Sequence, residues 1–234
     1  MEQYIGDQRL APTNINFKNS IRQLIKKTSL DLGRELDTSE DRIVINVNYP
    51  CEKGHKVSSL VLGEKEKKAL IAEKKRVPTK MGIYMFYYEK EDVFLKIGEA
   101  GPNSDARFKS QHYSLTAATS TLSNSIYFDD DRRQEYGLDE YLKNKLGDRY
   151  KEYEDNLKYN SRDDVNFKER KHVDSKIIGE WIKQNCIRVE IMIDITDNVE
   201  DAMNEKERKF IESSLILKYN PRYEGYKVNK RKTK

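Results

Sequence analysis

The sequence predicts an α+β fold: a small three-stranded antiparallel sheet flanked by helices, with an N-terminal accessory segment and a long charged insertion. Three observations predict it. Two aromatic-rich apolar runs, "GIYMFYYEK" and "DVFLKIGEA", meet across the polar residues 89–92, which is the pattern of a strand pair joined by a short turn. β-Branched residues dominate "CIRVEIMIDI", the signature of a third strand. Helical stripes stand on either side of that strand, in "SKIIGEWIKQN" and "VEDAMNEKERKFIESSLILKY". The expected strands are therefore 82–90, 92–99 and 187–195.

Along the chain, residues 1–15 show no period and read as a loose arm. In "NFKNSIRQLIKKTSLDL" the positions Phe17, Ile21, Leu24, Ile25 and Leu30 approximate one helical stripe. Ile43, Ile45 and Val47 share a face of the strand "DRIVINVNYP", for which "KVSSLVLG" is the expected partner. A charged helix is expected over 64–76, and Pro78 with Gly82 punctuates its end, so the domains are predicted as 1–78, 79–226 and a tail 227–234. After "GPNSD", Ser104 or Asp105 can cap a helix "ARFKSQHY". The stretch 114–174 reads as an insertion outside the core: its residues 129–174 hold 14 acids against 11 bases and a weak helical pattern around "LDEYLKNKLGDRYKEYEDNL". The last helix ends at Asn220-Pro221.

Composition bounds the function class. At 234 residues, 36% of them hydrophobic and 36% charged, the chain is polar, yet 15 Tyr and 7 Phe supply the large buried surfaces of a folded protein. No run of 18 apolar residues occurs, and "MEQYIGDQRL" lacks a basic region followed by an apolar core, so neither a membrane span nor a signal peptide is expected. Cys51 and Cys186 lie far apart, which suits a reducing, cytoplasmic setting. Cys51 and His55 lack the further ligand pair that a zinc site needs. Of the net charge of +4, the tail "KVNKRKTK" contributes +5, which leaves −1 for the rest. Such a tail is a handle for a polyanion, although a solvated end explains it alone.

Gly82-Ile83-Tyr84, then 11 residues, then Lys96-Ile97-Gly98, resembles the paired motif of the GIY-YIG nucleases. Arg107 follows at family spacing, and "ESSLILKYNPRYEG" is similar to the family's closing helix, with Glu212 nine residues before Pro221. The resemblance covers roughly residues 81–226. It implies a three-stranded α+β nuclease that cuts DNA, most simply duplex DNA, with Mg²⁺ or another divalent cation such as Mn²⁺. It also implies a site of Tyr84, Lys96, Arg107, His112 and Glu212, in which Glu212 is the metal ligand. The sequence departs from the pattern in three places. Lys96 stands where the family usually has Tyr, as in some restriction-type members. Gln111 stands four residues beyond the Arg, with His112 and Tyr113 one and two steps later, and Glu224 takes the place of a late Asn.

The chemistry is coherent without the name. Hydrolysis of a phosphodiester needs a water, a base to activate it and fixed positive charge on the phosphate. Tyr84 is the candidate base, and a phenol with pKa about 10 requires nearby cations to accept a proton at neutral pH. Lys96, Arg107 and a divalent ion supply that field, and Glu212 provides an oxygen ligand. Lys109 and the tail residues Lys227, Lys230, Arg231 and Lys232 are the expected DNA contacts. A homodimer would bring the two active centres that severing both strands needs. Each residue also has a plainer reading. Tyr84 fits as a packed strand aromatic, Arg107 as a surface arginine, and Glu212 as the ion-pair partner of Arg208 four residues earlier. A nucleic-acid-binding module that kept the scaffold without turnover is the competing function.

Overall fold

The structure, a computed structural model, describes residues 10–33, 35–40, 42–48, 80–100, 111–115, 121–127, 129–151, 176–194 and 201–223. The chain forms two compact units, one of Met1–Lys109 with Cys186–Glu224 and one of Ser110–Asn185 with Gly225–Lys234. These divisions differ from the predicted 1–78, 79–226 and 227–234, because the N-terminal segment contributes to the first unit's sheet.

The first helix, α1 (Phe17–Asp31), places Phe17, Ile21 and Ile25 at a four-residue spacing on its buried face. Leu30, expected on that stripe, is 52% exposed. Ser29 takes the buried place instead, and its hydroxyl donates to Glu207 across 3.1 Å. Gly33, at φ +75, carries the left-handed turn that ends this helix, with its N–H donating to the carbonyl of Leu30.

Four strands follow: β1 (Ile43–Asn48), β2 (Lys80–Tyr88), β3 (Val93–Ala100) and β4 (Cys186–Asp194). They make one antiparallel sheet in the order β1-β4-β2-β3. The predicted three-stranded sheet is thus corrected to four strands. Ile43 and Ile45 pair with Ile193 and Ile191, extending the apolar face of β4 outward. The expected partner of β1, within residues 56–63, lies outside the described residues, as do the predicted helices over 64–76 and most of 106–113.

Ile83, Met85 and Tyr87 of β2 alternate onto the apolar face, where they join Val189, Ile191 and Ile97. That face is covered by α1 and by the last helix, α6 (Asp201–Tyr219), through Ile211, Leu215 and Tyr219. Between β2 and β3, residues Glu89–Glu91 form a 3₁₀ turn and Asp92 adopts φ 50. The register slips between Phe86 and Tyr87, so Leu95 is an extra residue on β3. Past α6, Asn220 turns the chain at φ 45, as expected at Asn-Pro. The N–H groups of Arg222 and Tyr223 then donate to the carbonyls of Phe94 and Leu95, covering that part of the edge of β3.

The Tyr87 hydroxyl donates to Asp92 across 2.6 Å. Burial, and then this bond and the charge of Asp92, raise the phenol's pKa above its ordinary 10.0. Its folded pKa therefore exceeds the unfolded one, and the stability it contributes is complete below about pH 10 and lost as pH rises further. Urea midpoints measured up to about pH 11 are expected to fall less steeply on the alkaline side in Tyr87→Phe than in the wild type.

The second unit contains α2 (Leu122–Tyr127), α3 (Asp130–Glu135), α4 (Leu138–Leu146) and α5 (residues 176–185). The stretch predicted as an insertion outside the core has a buried interior of its own, including Leu122, Ile126, Tyr136, Leu138 and Leu142. Trp181 of α5 packs on Tyr136 with ring centroids 5.6 Å apart. Ile177, Ile178, Trp181 and Ile182 are all buried, as their spacing predicts. The charge of 129–174 masked this interior, because its apolar residues are spread over short helices broken at Gly137 and Gly147, with φ 64 and 57. A Cβ placed on Gly179 would lie 2.5 Å from the Tyr113 carbonyl oxygen, a backbone atom that cannot move cheaply. Gly179→Ala is expected to cost about 1–3 kcal/mol by overpacking, read from a denaturant melt. Among the described residues, no helix is long and apolar enough to cross a membrane.

Candidate functional site

Pairing brings the two halves of the motif side by side. In the β2–β3 hairpin, Gly82 is opposite Ala100, Tyr84 opposite Gly98, and Phe86 opposite Lys96. Alternation sends Tyr84, Phe86, Lys96 and Gly98 to the face opposite α1 and α6. The Tyr84 ring leans over Gly98 so closely that a Cβ there would stand 2.1 Å from the hydroxyl oxygen. Only glycine leaves room for the phenol, which gives the last residue of Lys96-Ile97-Gly98 a physical reason.

The same face continues onto β4. Glu190 lies opposite Tyr84 and Arg188 opposite Phe86, so two rows of side chains run across the sheet: Glu190, Tyr84, Gly98 and Arg188, Phe86, Lys96. The register of β1 adds Asn46 to the first row and Asn48 to the second. Arg188 and Glu190 are each 0% exposed and form an ion pair, Nε to Oε1, at 3.0 Å. The Arg188 guanidinium sits over the Phe86 ring at 5.3 Å, and that ring meets Tyr84 at 6.2 Å with a 60° tilt. Lys96 and Tyr84 are each 3% exposed. Ionisable side chains are rarely buried this fully unless paired, and their concentration around one tyrosine marks the region as a candidate site.

Arg188 and Glu190 were not among the residues predicted for the site. The signal was present in "IRVEI", where charges alternate with Ile187, Val189 and Ile191. Alternation in a strand reads equally as one solvated face, and burial of that face is a tertiary fact.

Glu212 lies on α6, half-buried. Ile211 and Leu215 point into the core, and Arg208, one turn before Glu212, pairs with Glu99 of β3 at 2.5 Å. Residues four apart share a helix face, so Glu212 occupies the flank of α6 that meets β3. Arg208 thus engages a residue of the sheet, which the intrahelical explanation of Glu212 did not include. β3 is an outer strand, and there the Tyr84 phenol and the helix bearing Glu212 lie on opposite faces of the sheet, so the described residues do not bring the phenol and the carboxylate onto one face.

His112 has a different setting. It is buried in the second unit within a 3₁₀ turn, Gln111–Tyr113, and its Nδ1 accepts the N–H of Leu122 at 3.1 Å. It thereby satisfies one of the orphan donors at the start of α2. Nδ1 as acceptor assigns the proton of the neutral ring to Nε2. Arg107, Lys109, Glu224, Lys227, Lys230, Arg231 and Lys232 lie outside the described residues, as do Cys51 and His55.

Among the described residues, no group of three or more His, Cys, Asp and Glu side chains is arranged to hold a metal ion. Mg²⁺ is commonly bound through one or two carboxylates, with waters and substrate phosphate completing its shell, and the single oxygen-donor side chain of Glu212 fits that chemistry. No protein-family model, curated protein or solved structure matches the chain.

Proposed function

We propose that the chain is a divalent-metal-dependent DNA endonuclease of the GIY-YIG type, with a sequence-specific restriction-type enzyme as its finer form. The observation that carries the reading is the placement of Tyr84 on Gly98, with buried Lys96 two residues away on the same face of the hairpin. Tyr84 accepts the proton of the attacking water, and Lys96 favours the phenolate. Arg107 offsets the charge that builds on the phosphate. Glu212 is the residue that would hold the metal, whose contribution when bound is to neutralise phosphate charge and orient the scissile group. The basic tail adds salt-dependent affinity for DNA without selecting sequence.

Incubation of the protein with supercoiled plasmid and Mg²⁺ or Mn²⁺ tests the reading: nicked or linear product that disappears with chelator is expected, and intact plasmid under every metal contradicts it. A lysine in place of the second aromatic, and the engagement of His112 at a helix start, favour a second reading as a binding module without turnover. That reading expects metal-independent DNA binding and no product.

A further inference from the structure

We infer that the buried Arg188–Glu190 pair positions Tyr84, acting through Phe86. β4 is a central strand whose other described side chains, from Cys186 to Ile193, are apolar, so the pair occupies the polar positions of an otherwise hydrophobic element. Burying two charges is expensive, and apolar residues of similar volume would hold such a strand at least as well. Stability therefore does not account for the pair, whereas its location does. Glu190 fixes the Arg188 guanidinium at 3.0 Å, the guanidinium lies 5.3 Å over the Phe86 ring, and Phe86 meets Tyr84 in a tilted contact at 6.2 Å. A cation over one aromatic face fixes that ring, and an edge-to-face neighbour is fixed in turn. At the end of this chain the phenol is held over Gly98.

Arg188 and Glu190 are positioning residues in this account, and only the turnover readout rests on the nuclease reading. Two variants test it. Arg188→Met with Glu190→Leu replaces the pair by apolar side chains, a change that leaves folding intact when volumes match. Phe86→Leu keeps the pair and removes the ring that relays it. Both are expected to lower kcat for plasmid nicking about 100-fold, the scale of a small misplacement of a reacting group, and to leave KM within about twofold. The ring-flip rate of Tyr84, followed by NMR with the resonance assigned from Tyr84→Phe, is expected to rise in both. A folded double variant with wild-type kcat and an unchanged flip rate overturns the inference. If the wild type cuts no plasmid, the nuclease reading fails separately, and the flip rate alone decides: faster flipping supports the positioning role and an unchanged rate ends it.

Discussion

Arg188→Ala is expected to destabilise the protein by about 3–5 kcal/mol, the range for removing one member of a buried ion pair. Both side chains are 0% exposed, so truncation leaves the Glu190 carboxylate buried without its 3.0 Å partner. It also strips the cation from the Phe86 face. Glu190→Ala is expected to cost a similar amount, by stranding the guanidinium. The paired apolar replacement avoids both penalties, so the double variant is expected to be far more stable than either single one. Denaturant melts of the four proteins measure this coupling. Additive single-site losses would show that the two charges do not depend on each other.

Gly98→Ala is expected to disable the site while costing about 1–3 kcal/mol of stability. The new methyl would stand 2.1 Å from the Tyr84 hydroxyl oxygen and 2.4 Å from the ring carbon bearing it, distances that non-bonded atoms do not reach. The methyl is anchored to a paired strand, so the tyrosine must move, and Tyr84 is 3% exposed in a packed layer. Displacement of a proton acceptor by about 1 Å is enough to lower turnover on the order of 100-fold. DNA binding, which the proposal assigns to other, basic residues, is expected to persist. Cleavage assays beside filter binding separate the two effects, and wild-type cleavage by a folded Gly98→Ala protein would remove Tyr84 from the mechanism.

Much of the sheet was legible in the sequence because its strands announce themselves locally. The hairpin follows from two apolar runs and a polar turn, β4 from its β-branched residues, and α5 from the spacing of Ile177, Ile178, Trp181 and Ile182. Strand neighbours were less legible. β1 joins β4 through contacts between residues distant along the chain, and no local period encodes which distant edge a strand will meet. The second unit was hidden for a related reason. Its helices are short, and a single buried leucine per turn among many charges looks the same as a solvated insertion. Within the site, Tyr84, Lys96 and Gly98 were readable from the motif and fall together by register. Arg188 and Glu190 were not, since a polar residue on alternate strand positions normally means solvent. His112, expected among the site residues, accepts the N–H of Leu122 at the start of α2, a contact that no local sequence pattern encodes.

The most direct measurement compares wild type and Glu212→Ala on supercoiled plasmid in Mg²⁺, with DNA binding followed in parallel. The account predicts that wild type nicks the plasmid, that Glu212→Ala loses nicking by a factor on the order of 10²–10³, as for removal of one charge-stabilising group, and that binding is retained. Equal nicking by the two proteins would contradict the proposed role of α6 and the site built around Tyr84 and β3.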